Sequence, residues 1–198
     1  MSDHVMFKRY GMMFDEDCDV LDACLTALLP KPVVRVLEIG TYNGDTARGM
    51  KKFLEEHGSS IQYWGIEPGL VLHDACPDPF LGATIIHDKS EESFHLVPND
   101  FDFIFVDGNH SRNAVILDVF NYSSKVVPGG FMAFHDINPK VQHDGYEYSG
   151  PHIPEFGVCV LEALQLIGWP WPPWNLFMEK YPLDHQQNGT AAYRNGKA

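Results

Sequence analysis

Five stretches of the chain place polar, reactive side chains directly after apolar runs. They are Glu38-Ile-Gly40-Thr41-Tyr42-Asn43-Gly44-Asp45-Thr46, Glu67-Pro68, Asp88-Lys89-Ser90, Asp107-Gly-Asn-His110 and His135-Asp136. In the first, glycines let backbone N–H groups approach a ligand at the start of a helix. The dinucleotide pattern GxGxxG fails there, because Tyr42 and Asp45 stand where glycines are required. The phosphate-cradling GxxxxGK[ST] fails too, since no lysine follows Gly44. The loop therefore suits a nucleoside-like ligand without a demanding pyrophosphate. Glu67 can accept two hydrogen bonds from a ribose diol. Alone it would read as a solvated strand-end carboxylate. Asp88 and Lys89 suit an adenine edge.

Asp107, His110, His135 and Asp136 are the candidates for metal and acid–base work. Two carboxylates brought close together repel, and one takes up a proton unless a cation intervenes. Oxygen ligands favour Mg²⁺ or Mn²⁺, and an added imidazole tilts toward a softer metal. His135 reads either as a third metal ligand or as a core histidine sharing a face with Phe131 and Ala133. His110 follows Asp107 by three residues in a glycine-containing turn. It reads as a general base with a pKa near working pH, or as a neighbour of a helix cap without a catalytic role.

These residues need a frame that brings five separate stretches to one place. A helix is expected from about Asp15 to Leu29, ended by Pro30 and Pro32. Apolar runs then alternate with helical patterns. Strands are expected at Arg35–Gly40, Ile61–Glu67, Ala83–His87, Phe101–Asp107 and Phe131–His135. Helices are expected at Thr46–His57, with Ala47, Met50, Phe53 and Leu54 inward, and at Ser111–Ser124, with Val115, Leu117, Val119 and Tyr122 inward. Strands apolar on both faces, separated by helices, signal a parallel sheet covered on both sides. A helix at Gly157–Ile167 and two strands at Asn175–Tyr181 and Thr190–Asn195 follow. The expected fold is α/β: a doubly wound, mostly parallel seven-stranded sheet with an antiparallel C-terminal hairpin. Ligands of such sheets bind at the carboxyl ends of the strands, where the five stretches fall.

The ordered set EIGTYNGDT, IEP, FDFIFVDGNH and VVPGGFMAFHD resembles class I S-adenosylmethionine-dependent methyltransferases over roughly residues 33–136. Within that class it is similar to the metal-dependent small-molecule O-methyltransferases of the macrolide-sugar and antibiotic-tailoring type. The resemblance implies the Rossmann-like methyltransferase fold and S-adenosylmethionine as cofactor. It implies that Glu38, Gly40, Tyr42, Gly44 and Thr46, with Thr41, line the methionine side. Glu67 with Pro68 would take the ribose, and Asp88 with Lys89 the adenine. Asp107 falls at the cofactor, and Asp107 and Asp136 fall where those relatives hold a divalent metal, with His135 beside them. Asp107 and His110 are then the catalytic pair. The chain departs from the usual first motif at its middle glycine, which is Tyr42.

Among 198 residues, 14 Lys and Arg stand against 27 Asp and Glu, a net charge of −13. Such a surface repels phosphate backbones, so the expected partner is a small-molecule acceptor rather than nucleic acid. No apolar run reaches the length of a membrane span. The start, MSDHVMFKRYG, lacks a signal-peptide core, and Cys18, Cys24, Cys76 and Cys159 form no CxxC pair. Both point to a reduced, cytoplasmic protein. One domain is expected: a helical extension over 1–32, a cofactor core over 33–136, a substrate loop or lid over 137–156, and a C-terminal helix and hairpin over 157–198. His143, Tyr146, Tyr148 and His152 in the loop are candidate acceptor contacts. The tryptophans of Trp169–Trp174 cover the core edge, or else form a homo-oligomer contact. Rival readings are weaker. A metallophosphoesterase, suggested by Gly108-Asn109-His110, needs DxH and GHxH clusters that do not occur. A short-chain dehydrogenase, suggested by Tyr193 and Lys197, lacks the dinucleotide loop. A non-catalytic nucleoside-binding protein on the same fold stays open.

Overall fold

The apolar runs pair into one seven-stranded sheet of order β3-β2-β1-β4-β5-β7-β6. The structure is a computed structural model that describes residues 13–69, 79–137, 159–180 and 189–196. Strands β1 (Val33–Ile39), β2 (Ser60–Ile66), β3 (Thr84–Ile86), β4 (Phe101–Val106) and β5 (Val126–Phe134) pair in parallel. Strand β7 (Thr190–Asn195) inserts antiparallel between β5 and the edge strand β6 (Trp174–Lys180). The C-terminal strands thus form the expected antiparallel pair, with its second member inside the sheet.

Alternating residues of each strand feed two cores. On one face Val36, Phe105, Phe131 and Ala133 meet helix α1 (Asp15–Leu28) and helix α2 (Asp45–Glu56). On the other, Leu37, Ile39, Ile104, Val106 and Phe134 meet helix α4 (Arg112–Tyr122) and helix α5 (Cys159–Leu166). A parallel sheet needs this cover on both faces, which is why β4 is buried at every residue. A single helical turn, α3 (Ser90–Ser93), follows β3.

Two expectations need correcting. Leu117 is 43% exposed, whereas Val115, Val119 and Tyr122 are buried. The buried three recur at helical spacing, and Leu117, two residues from both Val115 and Val119, points to the other side. Strand β5 begins at Val126, not Phe131, so the Pro128-Gly129-Gly130 segment belongs to the strand. Its pairing with β4 is irregular there, with a register shift between Phe101 and Phe103. Trp169 and Trp174 are buried in the core at the sheet's end, as the core-edge reading requires. Tyr193, the residue behind the dehydrogenase rival, is a buried core residue of β7. Cys18 and Cys24 are buried. The expected lid, with His143, Tyr146, Tyr148 and His152, lies outside the described residues, as do Cys76 and the Cys159 side chain. No helix among the described residues is long and apolar enough to cross a membrane.

Candidate active site

The parallel ladder runs one residue past the strands. Glu67 N–H donates to the Ile86 carbonyl at 3.0 Å, Gly40 N–H to Ile66 at 2.8 Å, Asp107 N–H to Ile39 at 2.8 Å, and His135 N–H to Val106 at 3.0 Å. These bonds fix Glu67, Gly40, Asp107 and His135 in a row along the carboxyl edge of the sheet. Residues 27, 67 and 28 apart in sequence become neighbours because parallel strands all end at the same edge.

The β1–α2 loop is shaped by close approach. Gly40 has φ +91°, and a Cβ placed there would lie 2.2 Å from the Asp107 carbonyl oxygen. Only glycine fits both constraints. Tyr42, with φ 48°, takes the left-handed conformation that a glycine would adopt freely. Its N–H donates to Glu67 Oε2 at 2.8 Å, while Gly69 N–H donates to Glu67 Oε1 at 3.1 Å. The buried Glu67 carboxylate thus pins the loop, and each of its oxygens keeps a further lone pair. The Tyr42 ring is half exposed. Beneath the loop, Glu38 is buried and bonded to the Tyr63 hydroxyl, which also lies 3.2 Å from Thr41 Oγ1. Burial, with the negative Asp107 and Glu67 nearby, pushes Glu38 up to about 8 against the hydrogen bonds from Tyr63 and Thr46. Its carboxyl is therefore protonated at neutral pH.

At the ends of β4 and β5, two acids and two histidines interlock. His110 Nδ1 lies 3.0 Å from Asp136 Oδ2, and its Nε2 lies 3.3 Å from Asp107 Oδ1. His135 Nδ1 lies 3.0 Å from Asp107 Oδ1 and 3.3 Å from Asp136 Oδ1. Asp136 reaches both rings from a left-handed backbone, φ 55°, which aspartate tolerates better than most residues. Burial opposes the charge of Asp107, His110 and His135, but the pairing outweighs it. The Asp107 carboxyl is held well below the usual carboxylate range by His135 and His110. His110 is raised to about 9 by Asp107 and Asp136, and His135 is raised well above its ordinary value by Asp107, Asp17 and Asp136.

The donor set fits a divalent cation. One ligand atom from each of Asp107, His110 and Asp136 lies within 4.8 Å of the others. His110 Nε2 and Asp136 Oδ1 are buried without a hydrogen-bond partner among the described residues. Two carboxylates and an imidazole suit Mn²⁺ or Mg²⁺, the imidazole favouring the former.

Residues 37–137, just over half of the chain, match the model of a family described as a methyltransferase domain. The chain belongs to this methyltransferase family. Solved structures agree on the fold. The O-methyltransferase from Bacillus cereus in complex with SAH superposes at TM-score 0.59 with 14% identity, covering 88% of this chain and 80% of that one. The cofactor-bound Rv0187 from MTB gives 0.61 and 14%, covering 88% and 78%. An rRNA methylase from Streptococcus thermophilus gives 0.61 and 13%, covering 93% and 99%. A comparison with curated proteins gives no match. The sheet is thus that of class I S-adenosylmethionine-dependent methyltransferases, a fold that these neighbours use for different acceptors.

In this methyltransferase the expected site residues fall as follows. Glu38, Gly40, Thr41, Tyr42, Gly44 and Thr46 lie on or beside the β1–α2 loop, with Gly44 capping α2. Glu67 and Pro68 follow β2, Pro68 exposed. Asp88 and Lys89 lie between β3 and α3, and Lys89 is exposed. Asp107, His110, His135 and Asp136 form the interlocked cluster. His110 joins the two acids in a donor set that could hold an ion, and His135 lies as close to the same two acids. The expectation that His110 titrates near working pH is not met, because two carboxylates face it. Two buried residues of the site escape a sequence reading. Tyr63 on β2 holds Glu38, and Asp17 on α1 faces His135 Nε2 at 3.5 Å. Neither carries a sequence signal: Tyr63 reads as an apolar strand residue, and Asp17 as an ordinary acid in the first turn of a helix.

Proposed function

We propose that this methyltransferase uses S-adenosylmethionine to methylate a hydroxyl oxygen of a small molecule, assisted by a divalent cation at Asp107, His110 and Asp136. The observation that carries the reading is the row of strand ends that sets a pinned glycine loop beside a two-acid, two-histidine cluster. The SAH-bound O-methyltransferase neighbour supports the cofactor and the oxygen acceptor. The charge of −13 supports a small acceptor over a polyphosphate one.

S-adenosylmethionine supplies an electrophilic methyl group on sulfonium. Glu67 offers its remaining lone pairs to a ribose diol while it fixes Tyr42. Asp88 and Lys89 take the adenine side. A cation supplies Lewis acidity toward an acceptor oxygen, and Asp107, His110 and Asp136 are the residues that would hold it. The interlocked acids and histidines hold that side of the site in one geometry, so positioning carries much of the rate. The hydroxyl proton leaves to solvent, because Asp107 and Asp136 hold His110 and His135 in their protonated forms. The chain is expected to act in a reducing cytoplasm.

The test is calorimetric titration with S-adenosylhomocysteine and, separately, with Mn²⁺. Radiolabelled methyl transfer to a panel of sugars and phenols follows, with and without chelator. Saturable binding of both, and chelator-sensitive transfer, is expected. Failure to bind S-adenosylhomocysteine overturns the cofactor reading. Transfer undiminished after exhaustive chelation overturns the cation.

A further inference from the structure

We propose that Asp17, on the helix before the first strand, is a positioning residue of the active site that fixes the His135 ring so that Nδ1 faces Asp107 and Asp136. The inference rests on reading those acids as the cation and acceptor side of the site. Asp17 is fully buried, 0% exposed, at the far side of His135 from the two acids. Its Oδ1 accepts Gly189 N–H at 3.1 Å and the Thr190 hydroxyl at 2.9 Å. Its Oδ2 accepts Phe14 N–H at 3.2 Å and stands 3.5 Å from His135 Nε2. The carboxylate is therefore held by three donors on three sides, and its own position is determined before it meets the histidine. His135 Nε2 has no hydrogen-bond partner among the described residues, so Asp17 is the charged group to which that nitrogen is directed.

The geometry selects one ring orientation. An imidazole flipped about Cβ–Cγ would turn a carbon toward Asp17 and lose the pairing of both nitrogens. With Nε2 toward Asp17, Nδ1 falls 3.0 Å from Asp107 and 3.3 Å from Asp136. A group held against metal-ligating carboxylates commonly orients them, and its loss weakens metal binding about 10–100-fold; His135 stands in that place toward Asp107 and Asp136, and Asp17 holds His135. The shape of the site thus depends on α1, although α1 contributes nothing to the cofactor loop.

The discriminating variant is Asp17→Asn. The amide oxygen can keep Gly189 and Thr190, while the NH₂ replaces Oδ2 and presents donors to Phe14 N–H and His135. Asp19→Asn, a half-buried position on the same helix that faces Lys180 rather than His135, is the control. Three quantities are measured on the full chain: imidazole ¹⁵N–¹H spectra, Mn²⁺ affinity and S-adenosylhomocysteine affinity, with thermal melting as a check on folding. The proposal expects His135 ring signals to move in Asp17→Asn alone. It expects Mn²⁺ affinity to fall about tenfold while S-adenosylhomocysteine affinity stays the same. Unchanged His135 signals, or cofactor and Mn²⁺ affinities that fall together in a folded variant, overturn it. If wild-type protein takes no Mn²⁺, the cation reading fails by itself. The His135 signals then still decide whether Asp17 positions the ring. Should Asp17→Asn not fold, Thr190→Val removes one of the donors holding Asp17, and unmoved His135 signals in that variant overturn the proposal.

Discussion

Glu38→Gln should remove a pH dependence of folding that wild-type protein carries between pH 4.5 and 8. The folded-state value of about 8 stands 3.5 above the ordinary 4.5. At about 1.36 kcal/mol per unit, burial favours the protonated carboxyl by roughly 5 kcal/mol. The sign follows from which state binds the proton. Below pH 4.5 the carboxyl is protonated in both states, and the contribution is fully present. Between 4.5 and 8 the unfolded chain releases the proton while the folded chain keeps it, so stability falls as pH rises. Above 8 both states are ionised and the loss is complete. Glutamine has the shape of the neutral acid and does not titrate. Urea unfolding followed by tryptophan fluorescence at pH 5 and pH 9 gives the difference for each protein. His110 and His135 titrate in both, so their contributions cancel in the comparison. The variant should gain roughly 4 kcal/mol on wild type between the two pH values. Parallel curves would refute the buried, Tyr63-bonded carboxyl as the source of the shift.

Three further outcomes follow from the site. Glu67→Ala removes the acceptor of Tyr42 and Gly69 N–H together with the expected ribose contact. It should weaken S-adenosylhomocysteine binding by about 1.5–3 kcal/mol per charge-assisted bond lost, measured by calorimetry; equal affinity would contradict the assignment. Gly40→Ala forces a Cβ to within 2.2 Å of the Asp107 carbonyl in a left-handed backbone. It should cost about 1–3 kcal/mol from the backbone alone, and a melting temperature equal to wild type would contradict the close approach. Asp136→Asn keeps a residue that tolerates φ 55°. The variant should therefore fold normally and bind S-adenosylhomocysteine as wild type does, yet lose most Mn²⁺ affinity; retained Mn²⁺ binding would remove Asp136 from the cation set.

The sheet was legible because Phe101–Val106 and its neighbours are apolar at consecutive positions, which only a sheet covered on both faces can hide. Helix α4 was legible as a helix but not in its orientation: Leu117, as apolar as its neighbours, lies on the exposed side. Apolar residues on a surface carry no mark of exposure. The start of β5 was hidden because Pro128-Gly129-Gly130 has turn composition, while the ladder to β4 tolerates it at an irregular register. The strand-end motifs were legible as a set because their places in the topology, not their identities, bring them together. The pairing within the cluster was not legible. Which nitrogen of His110 or His135 meets which acid depends on ring orientation and on the left-handed turn at Asp136.

Asp17 shows why a site of this kind exceeds its motifs. Its partners are Phe14, three residues away, and Gly189 and Thr190, 172 and 173 residues away. Strand β7 is placed beside β5 by the C-terminal insertion, and α1 packs on the same face of the sheet as Phe105 and Ala133. Those two packing decisions, both driven by apolar burial, bring a buried charge from the first helix against a histidine at the end of β5. A buried carboxylate is costly unless it is paired and hydrogen-bonded, and here three donors and one imidazole meet it. The helix before the first strand is therefore part of the active site's support, although none of its residues belongs to a strand-end motif.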